Sequence, residues 1–214
     1  MQLSAEGDTG YSWRETMKKR DDLLVGPKER AINAVKEGRI EEAIQCIEEL
    51  NEQFRPLHDR YGEWIQCLLA FIADEMGESA VEKALQKTFE DVYKTRVLDS
   101  QNLTAEDVVK RYCQGARAHY SDITIEEDDE KFVLKHLHCN SGGRIQRECI
   151  YGKTERAYDW SFNQMNVPYY CCHESVFNNI YKEIGLDRVT YEFEYQHDEN
   201  GTPTGKCCIW KIKK

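Results

Sequence analysis

The run Pro168-Tyr169-Tyr170-Cys171-Cys172-His173-Glu174 sets two thiols, an imidazole and a carboxylate in consecutive positions just ahead of an amphipathic segment. A cysteine at a helix start lies among unpaired backbone N–H groups at the positive end of the helix dipole. Both favour the thiolate, the form that attacks carbon or binds metal. Nucleophilic catalysis would use Cys171 or Cys172 as nucleophile, His173, His138 or His58 as base, and Glu174 or Asp59 to orient it. Successive side chains on a helix diverge by ~100°, so a base from elsewhere in the chain fits better than His173 itself. The vicinal thiols also allow a strained redox disulfide, and the plain alternative is cysteine packed as a small hydrophobe.

The same residues suggest metal binding. Zinc takes three or four ligands at ~2.0–2.3 Å, and Cys139, Cys171 and His173, with Cys172 or Glu174 as a fourth, form the candidate set. Strand alternation puts His138 and Cys139 on opposite faces and groups Cys139 with Val133 and Leu137, the expected core face. Buried thiols beside a backbone-satisfied histidine are the competing reading. Ser141-Gly142-Gly143-Arg144 is the third feature. Its glycines let consecutive N–H groups face one anion, and a guanidinium grips a carboxylate through two parallel bonds. A turn between strands with a surface arginine explains it equally well. His58-Asp59 reads either as a catalytic pair or as a solvated helix edge, and Trp160, Tyr169 and Tyr170 as a pocket wall or as core.

Elements that position these residues follow from hydrophobic periodicity. Residues 1–26 carry Gly7, Gly10 and mixed charge without a period, which reads as a flexible arm. From residue 27 to 120 the pattern is helical, with Ile40, Ala43, Ile44, Ile47 and Leu50 along one stripe. Gly38 separates two helices, Pro56 breaks the next, and a central helix is expected over 57–76. Thr104 with Asp107 forms a capping box for the helix that follows. Residues 121–214 change to a period of two. Ile123 and Ile125 pair with 132–138 in a hairpin, 145–151 resumes as a strand, 175–184 is a helix, and a last hairpin turns at Asn200-Gly201. The expectation is an α+β protein: an N-terminal helical bundle followed by an antiparallel sheet with a packed helix, together one compact unit.

Composition narrows the function. The 214 residues carry a formal net charge of −10 and 40% hydrophobic side chains, enough for a sizeable core. That charge disfavours nucleic acid and anionic lipid as partners. No apolar stretch approaches the ~20 residues that span a bilayer. Nine cysteines, an odd number without a secretory signal, read as reduced thiols in a cytoplasmic protein. Cys46 and Cys67 fall in helical apolar patterns and are set aside.

Three segments carry a resemblance: Leu57-His58-Asp59 with Ala73-Asp74-Glu75-Met76-Gly77-Glu78, then Cys139-Asn140-Ser141-Gly142-Gly143-Arg144, then Val167-Pro168-Tyr169-Tyr170-Cys171-Cys172-His173. In layout they resemble bacterial proteins labelled L-2-amino-thiazoline-4-carboxylate hydrolase-like. Gly205-Lys206-Cys207-Cys208-Ile209-Trp210 is similar to the closing strand of vinyl-reductase-like small-molecule-binding domains. Such relatives place a glycine where Asn140 stands and a second cysteine where Glu174 stands, so the resemblance implies a Cys-His-carboxylate site rather than an all-thiolate one. Together these readings lead to a cytoplasmic hydrolase or ring-opening enzyme for a carboxylate-bearing small molecule. Cys171 or Cys172 with His173 would act on it, with or without zinc, while Ser141, Gly142, Gly143 and Arg144 hold the anion. The alternative is a non-catalytic small-molecule or metal sensor, and in either case the helical half offers a surface for homo-oligomers.

Overall fold

In the computed structural model the described residues are 24–99, 102–185, 188–197 and 203–214. They form helices first and an antiparallel sheet afterwards, the expected α+β order. Most of the N-terminal arm and the Asn200-Gly201 connection lie outside the described residues. The chain divides into two compact units, Met1–Pro56 and Leu57–Lys214, so the helices after Pro56 belong with the sheet.

The first unit holds α1 (Pro27–Lys36) and the beginning of α2 (Ile40–Met76). Pro27 occupies the first helical turn, where its missing N–H costs nothing, and Gly38 reverses the chain at φ 74°, a conformation glycine adopts freely. Ala34, Ala43 and Cys46 are buried, and Arg30 pairs with Glu49. Pro56 does not break the helix as expected. It sits inside a helix of 37 residues, whose bonds on either side offset the ~3 kcal/mol an interior proline costs.

The second unit continues with α3 (Glu78–Thr88), a single π-turn (Phe89–Tyr93), α4 (Lys94–Asp99) and α5 (Ala105–Ala118). Thr104 caps α5, accepting the Asp107 N–H at 3.1 Å. Then come β1 (Asp122–Glu127), β2 (Lys131–His138), α6 (Gly142–Glu148), a 3-10 turn (Asp159–Ser161), α7 (Tyr169–Glu183), β3 (Val189–His197) and β4 (Pro203–Lys213). The strands lie in the order β1-β2-β4-β3, all antiparallel, with Tyr191 opposite Trp210 and Phe193 opposite Cys208. Their inner face, Phe132, Leu134, Tyr191, Phe193, Trp210 and Ile212, packs with Val176, Phe177 and Tyr181 of α7, Val108 and Cys113 of α5, and Phe89. Each such large side chain contributes about 1.5–3 kcal/mol of burial.

Three expectations change. Residues 145–151 are not a strand: α6 takes Gly142–Glu148, because both sides of β2 are already occupied by β1 and β4. The last long helix begins at Tyr169 rather than Ser175, which puts the Cys-Cys-His-Glu run inside its first turns. The core face of β2 is Phe132, Leu134 and His136, whereas Leu137 is exposed. Pairing to β1 skips Leu137, with Ile123 opposite His136 and Asp122 opposite His138. This extra residue shifts the alternation by one and turns Cys139 onto the His136 face.

Gln66 of α2 is fully buried. Its Nε2 donates to the carbonyls of Tyr151 (3.1 Å) and Gly152 (2.6 Å), and its Oε1 accepts the Tyr170 N–H at 2.9 Å. One amide thus joins α2 to the start of α7. Gly152, at φ 69°, leaves room for it; a Cβ there would fall 2.4 Å from Gln66 Nε2. Gln66→Leu strands three backbone groups and is expected to lower unfolding free energy by about 2–4 kcal/mol in urea titration. A loss under 0.5 kcal/mol would show that water replaces the amide.

Candidate functional site

A cavity of about 840 Å³ lies within the second unit, between the inner face of the sheet, α5, α7 and the π-turn. Its size suits a small-molecule ligand. Tyr93, Tyr112, Tyr170, Phe177, Tyr181, Tyr191 and Trp210 give it an aromatic wall. Burial pushes the phenols of Tyr112, Tyr170, Tyr181 and Tyr191 up, so each stays neutral, and the Tyr112 and Tyr191 hydroxyls bond each other. Four segments add polar groups: His136 and Cys139 from the end of β2, Ser141, Gly142 and Gly143 after it, Cys171, His173 and Glu174 from α7, and His119 from the end of α5. Arg96, Arg111 and Arg188 also line the cavity.

The two motifs from the sequence therefore share one wall. Glycine is what lets them meet: a Cβ on Gly142 would lie 2.3 Å from Cys171 Sγ, and one on Gly143 would lie 2.8 Å from Cys139 Cβ. The Gly143 N–H donates to Cys139 Sγ at 3.3 Å, and the Ser141 hydroxyl lies 3.4 Å from the same sulfur. Burial acts to raise the Cys139 thiol, but the His136 ring beside it, the Ser141 hydroxyl and the Gly143 N–H outweigh burial and bring it down to about 6. His136 is buried, edge-on to Trp210 with ring centroids 4.5 Å apart. Neither of its ring nitrogens is in hydrogen-bond geometry with a described residue, so it acts on Cys139 as a neighbouring ring rather than through a formed bond.

His173 donates from Nδ1 to the Tyr170 carbonyl, and its Nε2 lies 3.3 Å from Glu174 Oε1. Burial opposes its charge, yet Glu174 and the Tyr170 carbonyl raise its affinity for a proton. A protonated His173 adds positive potential near Cys139. Cys172, by contrast, is sealed in the core with its sulfur 3.4 Å from the Pro168 carbonyl, away from the cavity wall.

Other candidates lie elsewhere. Arg144 does not line the cavity. Its Nη1 donates to Glu63 (2.6 Å) and Glu148 (2.8 Å) and its Nη2 to the Asp59 carbonyl (2.9 Å), so its fork is already filled. Trp160 stacks on Tyr158 beside a separate cleft. His58 and Asp59 are off the cavity wall, although His58 bonds to His119, which is on it. Among the described residues no group of three or more His, Cys, Asp or Glu is arranged to hold a metal ion.

Sequence reasoning missed His119, His136 and the arginines at positions 96, 111 and 188. Val108, Tyr112, Ala116 and His119 recur at three- and four-residue spacing on α5, a stripe visible in the sequence. His136 was hidden by the skipped residue at Leu137.

Mass-spectrometric mapping with iodoacetamide should modify Cys139 first, with a rate midpoint near pH 6, while burial holds the Cys113 and Cys149 thiols up. A midpoint above pH 8 would refute an activated Cys139. The folded thiol ionises below its unfolded value of about 8.5. Its stabilisation is therefore complete above pH 8.5 and lost as pH falls through about 6, a slope that Cys139→Ser should remove. Comparison with family models, curated proteins and solved structures gave no match to the chain.

Proposed function

We propose that this chain is a small-molecule hydrolase of the cytoplasm in which Cys139 is the nucleophile. The observation that carries the reading is an ionisable thiol on the wall of an aromatic cavity, beside an imidazole whose nitrogens have no described partner. The Cys139 proton passes to His136 and the thiolate attacks an electrophilic carbonyl or imine carbon of the substrate. The tetrahedral adduct then collapses, the bond to the leaving nitrogen or oxygen breaks, and that atom takes the proton from His136. Water next attacks the thioester or thioimidate, gives up a proton to a base, and thiolate leaves. No electrons change hands.

The substrate carries a carboxylate, held by Arg111 with Arg96 and Arg188 rather than by Arg144. Its planar body lies against the tyrosines and Trp210. The resemblance to thiazoline-carboxylate hydrolase-like proteins points to the same substrate class. Cys46, Cys67, Cys113, Cys139 and Cys149 form no disulfide, in keeping with a reducing compartment. Among the described residues no helix is long and apolar enough to cross a membrane.

Screening cyclic and acyclic amino-carboxylates should give turnover that Cys139→Ser reduces about 1,000-fold or more, with a covalent adduct on Cys139 in quenched samples. Arg111→Lys should raise KM about 10-fold with kcat retained. Ligand binding without turnover or adduct would leave the sensor reading, which the mostly aromatic wall also favours.

The helical half also carries an oligomer surface. Leu57, Tyr61, Trp64, Leu68 and Phe71 are all exposed on α2, Trp64 at 60%. Their alternating spacing of four and three is that of a seam between two helices, so the occupant is a second copy of this chain. Light scattering should show a dimer that Trp64→Glu with Leu68→Glu converts to monomer; a monomeric wild type at 100 μM (about the concentration of a light-scattering run) would overturn this.

A further inference from the structure

We infer that His119 is the general base that activates water in this cavity, and that His58 and Asp59 are positioning residues that hold it in one tautomer. The inference rests on the hydrolase reading above and supplies the base that reading leaves unassigned. Three groups stand in line. Asp59 Oδ1 lies 2.9 Å from His58 Nδ1, and His58 Nε2 lies 2.9 Å from His119 Nδ1. His119 lines the cavity.

Proton placement follows from what each atom can do. An ionised carboxylate only accepts, so His58 Nδ1 carries a hydrogen. Arg144 also faces Asp59, with its Nε 3.4 Å from Oδ1. A neutral His58 presents a bare Nε2, which must accept from His119 Nδ1. His119 Nε2 is then the unprotonated nitrogen, the form a base needs. Partial desolvation, followed by the neighbouring His58, lowers the proton affinity of His119.

The groups that bear on His119 come from three elements. His58 and Asp59 stand on α2, His173 and Glu174 on α7, and His136 on β2. His173 and His136 disfavour a charge on His119 and Glu174 favours it. The chain turns directly after His119 with Tyr120 in the left-handed region at φ 53°, a conformation unfavourable for a bulky residue. There the Tyr120 ring meets His58 edge-on at 5.6 Å, and its carbonyl accepts from Asn140.

In the reaction, His119 Nε2 takes the proton of the attacking water as its oxygen bonds to the thioester carbon. The C–S bond breaks, Cys139 leaves as thiolate and the acid is released. The imidazolium so formed is stabilised through His58 by Asp59 until its proton is lost to solvent.

Two measurements on the full chain test this. Long-range ¹H–¹⁵N spectra of protein labelled in histidine should show His119 neutral at pH 7.5 (about one pH unit above the ordinary histidine value), with its hydrogen on Nδ1. His58→Phe should abolish that preference, and Asp59→Asn, whose amide oxygen still accepts from His58, should retain it. An imidazolium, or a hydrogen on Nε2, in the wild type overturns the inference. Stopped-flow reaction with p-nitrophenyl acetate separates the two readings. A burst of one p-nitrophenolate per chain reports acetylation of Cys139 and should survive His119→Gln, while the steady rate falls about 100-fold or more. His58→Phe should lower it in the same direction, and Asp59→Asn should shift its pH midpoint. A missing wild-type burst refutes Cys139 as nucleophile, whereas an intact burst with an unchanged steady rate in His119→Gln refutes His119 as base.

Discussion

Neutralising the guanidinium of Arg144 is the constraint around which the site is built. Its side chain is 11% accessible, and a charge so enclosed costs several kcal/mol unless its N–H groups are met. Glu63 and Asp59, one turn apart on α2, supply two of its acidic partners, and Glu148 of α6 supplies the third. Its Nε is within ion-pair range of Asp59 Oδ1 but not aligned for a hydrogen bond, so the link there is charge rather than a formed bond. α6 can settle only where Arg144 reaches that turn of α2, and this brings Gly142 and Gly143 to the cavity. The same contact holds the Asp59 carboxylate beside His58. An arginine that the sequence offers as a substrate clamp thus does its work one layer behind the cavity, by fixing what lines it.

The large elements were legible because one physical signal dominated each. α5 announced itself by the Thr104 and Asp107 cap, and the last hairpin by alternating Val189, Tyr191 and Phe193 against Cys208, Trp210 and Ile212. The failures share a cause, which is that local pattern yields to tertiary supply. Pro56 looks like a stop, but long helical segments on both sides carry the helix through it. Ile145 to Tyr151 has strand-like residues, but no strand edge was open to receive them, and Arg144 drew the segment into a helix docked on α2.

At the site, the legible part was the pairing of two motifs, and the illegible part was which sulfur matters. The run at 171–174 drew attention because four reactive types are adjacent, yet adjacency on a helix sends them in different directions. Cys172 points into the core, while Cys171 and His173 reach the cavity. Strict alternation grouped Cys139 with Val133 and Leu137 rather than with His136. One unpaired residue, Leu137, reverses that parity. A shift of register by a single residue leaves no mark in composition or spacing, and the arginines at positions 96, 111 and 188 converge only through the fold.

Three histidines on one wall can divide labour only if their surroundings differ, and His173 and His119 are pulled in opposite directions. Burial opposes a charge on His173, while Glu174 beside it favours the proton. His119 is driven the other way by partial desolvation and by His58. His136 has no partner on either ring nitrogen among the described residues and stands beside Cys139 on the cavity wall. Under the proposed mechanism, the opposite pulls on His173 and His119 separate their roles. Pushing similar groups apart in this way is how a single pocket runs acid and base steps at one pH.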